Sequence, residues 1–195
     1  MWEPRIRIRG LISKLITFPL ARLLIKFRIS ANMLTVFGLL VVGGAAGIIS
    51  SGNLLLGAGI MVLGSGMDML DGAVARLTGK NDQVGSFLDS TLDRLGETFI
   101  FLGLLIHFMR SDNDIGVYLA ATVLAVSLLI SYLRAKGDAV GVDSDVGVMG
   151  RPERIVVLGI GLAIGYPLYA LALILLLGSL TFIQRFAHIV RRIKG

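Results

Sequence analysis

D-M-L-D-G-A-V-A-R-L-T-G-K-N-D-Q-V-G-S-F-L-D-S-T-L-D, residues 68–93, sets four carboxylates, Asp68, Asp71, Asp89 and Asp93, at the ends of two apolar segments each long enough to cross a membrane. On a helix Asp68 and Asp71 are three apart and Asp89 and Asp93 four apart, so each pair shares one side, a turn apart. A polar hairpin over 78–83 joins the two helices, which are expected to pack antiparallel with the pairs facing each other. Four carboxylates in one small volume repel each other and lose hydration, and the simplest remedy is to bind divalent cations, whose hard-oxygen ligands they are. Two Mg²⁺ or Mn²⁺ ions balance the four negative charges. Gly72 and Ala75 leave the helix surface bare beside that centre and Arg76 stands at its rim. There is room for a bulky phosphate-bearing ligand, with a guanidinium suited to an oxyanion. A single aspartate at a membrane helix end is ordinarily a solvated terminus; four at helical spacing, interleaved with Gly, Ala and Arg, call for chemistry.

The whole chain supports a membrane setting. It has 195 residues, 55% of them hydrophobic, and a mean hydropathy of +0.83, too apolar for an ordinary soluble domain and the size of one helical membrane domain. Apolar segments fall at 32–51, 54–77, 84–109, 115–136, 153–166 and 167–190, the fifth short and ending at Gly165-Tyr166-Pro167. The expected fold is an all-α integral membrane protein of six transmembrane helices, residues 30–195, preceded by a cytoplasmic amphipathic juxtamembrane helix within residues 1–29. The net charge of +6 is not a nucleic-acid footprint. Strict alternation of the six spans puts every Lys and Arg except Arg110 on one side, the positive-inside pattern, with both termini and the Asp cluster cytoplasmic. With no cysteine, metals must be held by oxygen or by His107 and His188, and each lone His reads as interfacial or packed.

In the first 30 residues Lys14, Arg22 and Lys26 share one helical face among Leu, Ile and Phe, the pattern of a helix lying on an anionic leaflet. Charges interrupt the apolar run and no small-residue cleavage site follows, against a signal peptide. Asn32 and Thr35 open the first span and suit its N-terminal cap. Glu97 extends the face of Asp89 and Asp93 by a turn and is expected to pair with Arg94, with the orienting of a neighbouring polar group as the alternative. Asp82 is open between a cytidine contact and a loop charge. In R-A-K-G-D-A-V-G-V-D-S-D-V-G-V-M-G-R-P-E-R, residues 134–154, Pro152 and Glu153 suit the first turn of a helix. Arg151 and Arg154 flank them, and with Arg134, Lys136 and Arg185 they are expected to form a cationic pocket for a phosphate on a second substrate.

The pattern D-x2-D-G-x2-A-R-x8-G-x3-D-x3-D, met by Asp68, Asp71, Gly72, Ala75, Arg76, Gly85, Asp89 and Asp93, resembles the signature of the CDP-alcohol phosphotransferases. The resemblance implies a six-helix, usually homodimeric membrane enzyme that moves a phosphatidyl group from a CDP-linked lipid to an alcohol and releases CMP. It implies metal ligation by Asp68, Asp71 and Asp89, with Asp68 and Asp89 bridging, and places Asp93 both as ligand and as the base that takes the acceptor's proton. It assigns Asn32, Met33, Leu34 and Thr35 to CDP-lipid contact alongside Gly72, Ala75, Arg76 and Gly85. F-L-D-S-T-L-D-R at 87–94, S-Y-L-R-A-K at 131–136 and G-R-P-E-R at 150–154 resemble the branch that makes phosphatidylinositol phosphate, or its archaeal counterpart, from inositol 1-phosphate. Lys136 and Gly150 stand where that branch has Arg and an acid. Glycerol 3-phosphate is the nearest alternative acceptor. A cation or proton transporter is the rival of another class, against which the acids lie near one face and no inverted repeat is seen.

Overall fold

The computed structural model describes residues 17–79 and 83–194, and these are helical apart from short turns and one longer loop. Among the described residues there are seven helices and no strand: α1 (Phe18–Lys26), α2 (Ala31–Ser50), α3 (Leu54–Thr78), α4 (Gln83–Arg110), α5 (Asp114–Ala139), α6 (Arg151–Ala163) and α7 (Pro167–Lys194). Each of the six apolar segments has become one helix. Four, α2, α3, α5 and α7, are long and apolar enough to cross a membrane. α4 has the length but carries Asp89, Asp93, Arg94 and Glu97, and α6 has 13 residues, about 20 Å at 1.5 Å per residue, short of a bilayer core of about 30 Å.

Local chemistry sets the ends. Ser30, not Asn32, caps α2, its hydroxyl accepting from the Met33 N–H at 3.2 Å; Asn32 lies one residue inside the helix. Asn113 caps α5 through the Gly116 N–H at 3.0 Å. Gly79, at φ +66°, ends α3 in the left-handed conformation that a residue without Cβ adopts at least cost. The Gly150 N–H donates to the Glu153 carboxylate at 2.8 Å, closing the first turn of α6 around Pro152.

The extensively packed helix pairs close into a ring in the order α2, α3, α6, α7, α5, α4 and back to α2, with α1 laid on α3 outside it. This corrects the expected hairpin: the two aspartate-bearing helices α3 and α4 do not pack along each other, because α2 packs against both and leaves a space between them. Small residues let α2 approach so closely. A Cβ on Gly64 would stand 2.7 Å from Val42 Cγ2 and 3.3 Å from the Gly38 carbonyl, and a Cβ on Gly103 would stand 2.5 Å from the Ala46 carbonyl. The core fills the rest of the interior, from Val42, Ala45 and Ile49 through Met61, Phe101, Leu104 and Phe108 to Leu158, Leu162, Leu171 and Ile174. Leu40, Leu63, Ile160 and Leu176 face outward, the surface expected against lipid rather than water.

The nine-residue helix α1 lies within the segment expected to be juxtamembrane. Ala21 is fully buried, joining Leu34, Ala73 and Val74 in a small second core, while Arg22 and Lys26 point outward. Residues 1–16, including Lys14, lie outside the described residues.

Candidate active site

Asp68 and Asp71 sit near the end of α3, and Asp89 and Asp93 in the first three turns of α4. Asp68, Asp71 and Asp89 each offer a carboxylate oxygen to a set lying within 4.8 Å of one another. Ligand oxygens around a Mg²⁺ at about 2.1 Å stand about 3 to 4 Å apart, so a small side-chain rotation closes this trio on an ion. Asp93 is not in the trio. It joins through Arg151, whose Nη1 lies 2.7 Å from Asp68 Oδ2 and 2.5 Å from Asp93 Oδ2, bridging α3 and α4 from the first residue of α6. Asp89 Oδ1 and Asp93 Oδ1 are buried with no hydrogen-bond partner among the described residues. Buried carboxylate oxygens left without donors are the form in which a divalent-cation site presents itself, so the donor set fits the metal that the sequence implies.

A further residue belongs to this cluster by contact. Thr35, buried in α2, places its hydroxyl 2.7 Å from Asp71 Oδ2 and 3.0 Å from the Ala31 carbonyl. The shorter distance and the carboxylate charge direct its single proton to Asp71. Of the other residues in that stretch, Asn32 is half-buried and Met33 exposed at the start of α2, whereas Leu34 is buried in the second core. Gly72 and Ala75 are half-buried, and Arg76, exposed, folds its guanidinium back so that a Cβ on Gly72 would lie 3.3 Å from its Nη1. The bare surface exists and the Arg76 side chain lies across it. Gly85 is half-buried in the first turn of α4, and Asp82 lies outside the described residues.

The five-residue cationic pocket resolves differently. Arg151 is at the carboxylates. Arg154 is 2% exposed and held by Glu97 at two points, with Nε 2.6 Å from Oε1 and Nη2 3.0 Å from Oε2, while its Nη1 is buried without a partner among the described residues. This corrects the expected Glu97–Arg94 pair: Arg94 turns back to the Ser90 carbonyl on its own helix. Arg185 is also internal, donating from Nη1 to the Ile130 carbonyl at 2.9 Å and from Nη2 to the Val146 carbonyl at 3.1 Å. Arg154 and Arg185 therefore present no free guanidinium to a ligand. Arg134 and Lys136, at the end of α5, are exposed, Arg134 lying 3.7 Å from Asp145 and Lys136 over the Tyr132 ring. The charges of Arg134 and Arg154 both act on Arg185, so these cations share one end of the molecule.

The loop 140–150 carries this end. Thr181, Arg185 and His188, spaced to lie on one face of α7, hold it: the Met149 N–H donates to Thr181 Oγ1 at 2.9 Å, Arg185 takes the Val146 carbonyl, and His188 Nε2 lies 3.1 Å from the Asp143 carbonyl. Gly147, at φ +123°, passes so close to α7 that a Cβ would stand 2.4 Å from Thr181 Cγ2. The i, i+4, i+7 spacing was the available signal for this face, but it does not name the loop as partner. His188 and His107 are half-buried, the latter with its ring against Phe108, and among the described residues neither falls in a group of three possible metal ligands.

Comparison with known proteins agrees with this geometry. The CDP-alcohol phosphatidyltransferase family model matches residues 28–191. The archaetidylinositol phosphate synthase of Methanothermobacter thermautotrophicus is 33% identical over 175 residues, 87% of each chain. The phosphatidylinositol phosphate synthase of Corynebacterium glutamicum is 34% identical over 155 residues, 78% of this chain and 71% of that one. Two crystal structures of the phosphatidylinositol phosphate synthase of Mycobacterium tuberculosis are 28% identical: with CDP-DAG bound, TM-score 0.82 over 89% of this chain and 93% of that one; with manganese and citrate, 0.83 over 89% and 88%. The signature aspartates, their shared volume and these matches together establish that the chain belongs to the CDP-alcohol phosphatidyltransferase family, phosphotransferases of phospholipid biosynthesis.

Proposed function

We propose that this protein transfers a phosphatidyl group from CDP-diacylglycerol, or its archaeal analogue, to inositol 1-phosphate, forming phosphatidylinositol phosphate and releasing CMP. The observation that carries the reading is Arg151: a cation from a third helix set directly between Asp68 and Asp93, where a phosphorylated alcohol has to bring its hydroxyl to the carboxylates. The names of the relatives and the CDP-DAG found in a solved one support both substrates.

Asp68, Asp71 and Asp89 hold divalent metal, two Mg²⁺ in this reading with Mn²⁺ as substitute, and Asp93 completes the set. When bound, the metal neutralises pyrophosphate charge and the charge growing on the leaving CMP. Asn32 and Met33 flank the nucleotide while Gly72, Ala75 and Gly85 leave space for it, and Arg76 swings from Gly72 onto its phosphate. Arg151, with Arg134 and Lys136 farther out, holds the acceptor's own phosphate. Asp93 Oδ1 takes the hydroxyl proton as that oxygen forms its bond to the lipid-side phosphorus; the bond from phosphorus to the CMP oxygen breaks, and CMP leaves with the electron pair. The chain crosses the cell membrane six times with both termini and the site cytoplasmic, α6 and the polar first turns of α4 lying toward that surface, and works as a homodimer.

The test is CMP release by purified protein from CDP-diacylglycerol and Mg²⁺, with inositol 1-phosphate, inositol and glycerol 3-phosphate supplied separately. Release with inositol 1-phosphate alone is expected. Release with glycerol 3-phosphate alone would keep the chemistry and overturn the acceptor, and no metal-dependent release with any alcohol would overturn the transfer reading.

A further inference from the structure

We infer that Glu97 is a positioning residue for the transfer: by holding Arg154 across the interior of the helix ring, it aligns the first turn of α6 so that Arg151 stands over Asp68 and Asp93. The inference rests on the proposed role of Arg151 toward the acceptor.

α4 and α6 are opposite members of the ring and do not pack on each other. Two side-chain rungs nevertheless join them. Asp93 and Glu97 are four apart on α4, Arg151 and Arg154 three apart on α6, and the pairs Asp93–Arg151 and Glu97–Arg154 lie one helical turn from each other. The second rung is the dry one: its side chains are 3% and 8% exposed, against 25% and 16% for Arg151 and Asp93. A two-point contact between a planar guanidinium and a carboxylate fixes rotation as well as distance, which a single-point pair does not.

Between the rungs is a cavity of about 20 Å³ bordered by Ser65, Glu97, Arg151 and Arg154 under Val42, Met61 and Phe101. Arg151 Nε and Arg154 Nη1 are both buried without a partner among the described residues. The volume is enough for one water, the kind of partner that the two guanidinium N–H groups lack. Glu97 also has a selective effect. Asp93 is the next carboxylate along α4, so an Arg154 released from Glu97 would compete with Arg151 for it. Matching Glu97 to Arg154 keeps Arg151 matched to Asp93 and Asp68.

The assay measures acceptor KM, CDP-lipid KM, kcat and melting temperature for the wild type, Glu97→Gln and Glu97→Gln/Arg154→Gln, with whichever phosphorylated alcohol supports CMP release. Glu97→Gln is expected to raise acceptor KM about tenfold, the loss associated with a misplaced supporting residue, and to leave CDP-lipid KM within about twofold. The double variant, which removes the competing cation and replaces a buried ion pair by a neutral one, is expected to recover much of that loss and to fold even where the single variant does not. An acceptor KM within about twofold of wild type for Glu97→Gln, or for Glu97→Asp where Glu97→Gln does not fold, reduces the pair to a structural one and overturns the inference whatever the melting temperature. Equal rises in both KM values, or a double variant worse than the single, overturn it as well. Wild-type protein idle with inositol 1-phosphate but active with another phosphorylated alcohol would fault the acceptor assignment alone, since the variant comparison then runs on that other acceptor.

Discussion

Replacing Thr35 by Val tests whether the start of α2 serves the metal centre. The substitution keeps the volume of a residue 5% exposed, so packing is nearly unchanged, and removes one hydroxyl. That hydroxyl lies 2.7 Å from Asp71 Oδ2, and Asp71 is itself only 4% exposed, so water cannot replace the lost donor. A hydrogen bond to a charged group contributes about 1.5–3 kcal/mol, which at about 1.4 kcal/mol per decade is a factor of about 10 to 100 if it is spent on holding Asp71 in its ligating rotamer. Loss of an outer partner of a metal ligand falls in the same span, about 10- to 100-fold in affinity. Mn²⁺ binding to the detergent-purified protein, followed by calorimetry, reports it directly, and the metal dependence of CMP release should move in parallel. Thr35→Ser, which keeps the donor, should stay within about threefold of wild type. Mn²⁺ affinity for Thr35→Val within about twofold of wild type would refute the reasoning and return the hydroxyl to the Ala31 carbonyl, 3.0 Å away, as an ordinary back-bond within the helix.

Asp93→Asn should lower kcat by at least about a hundredfold if Asp93 Oδ1 is the base, while equilibrium binding of CDP-lipid stays within a few-fold; retained turnover removes that role. Gly103→Ala places a Cβ 2.5 Å from the Ala46 carbonyl, a clash with backbone that cannot rotate away, and should destabilise by about 1–3 kcal/mol, seen as a lower melting temperature, whereas Gly44→Ala, with open space at that point, should not. Thr181→Val leaves the buried Met149 N–H without its acceptor, a loss of about 1–3 kcal/mol, and should increase amide exchange through 146–150 before it affects the rest of the chain.

The helices and the carboxylate faces were legible because both are set by short-range rules. Apolar runs of membrane length become helices wherever they sit, and residues three or four apart share a face in any helix, so the six segments and the Asp68/Asp71 and Asp89/Asp93 pairs followed from spacing alone. The same logic misled at Glu97, where Arg94 is the near partner by sequence and Arg154, 57 residues away, is the partner in fact. It misled again at Asn32, since Ser30 has the equally suitable side chain at the position where the helix begins. Arg154 and Arg185 looked alike with Arg151 as charges on one side of a membrane, yet two of the three are absorbed by Glu97 and by main-chain carbonyls.

The sequence by itself determined what each segment is, which residues share its faces, and which four carboxylates lie at the helix ends that meet. Only the tertiary structure decided that α2 stands between α3 and α4, that Thr35 donates to Asp71 across 36 residues, and which of the arginines stands at the aspartates. Spacing along a chain fixes directions around one helix axis, whereas the pairing of buried charges is settled by which axes lie opposite one another, and here the close approach of small residues at Gly64 and Gly103 closes the ring that sets them.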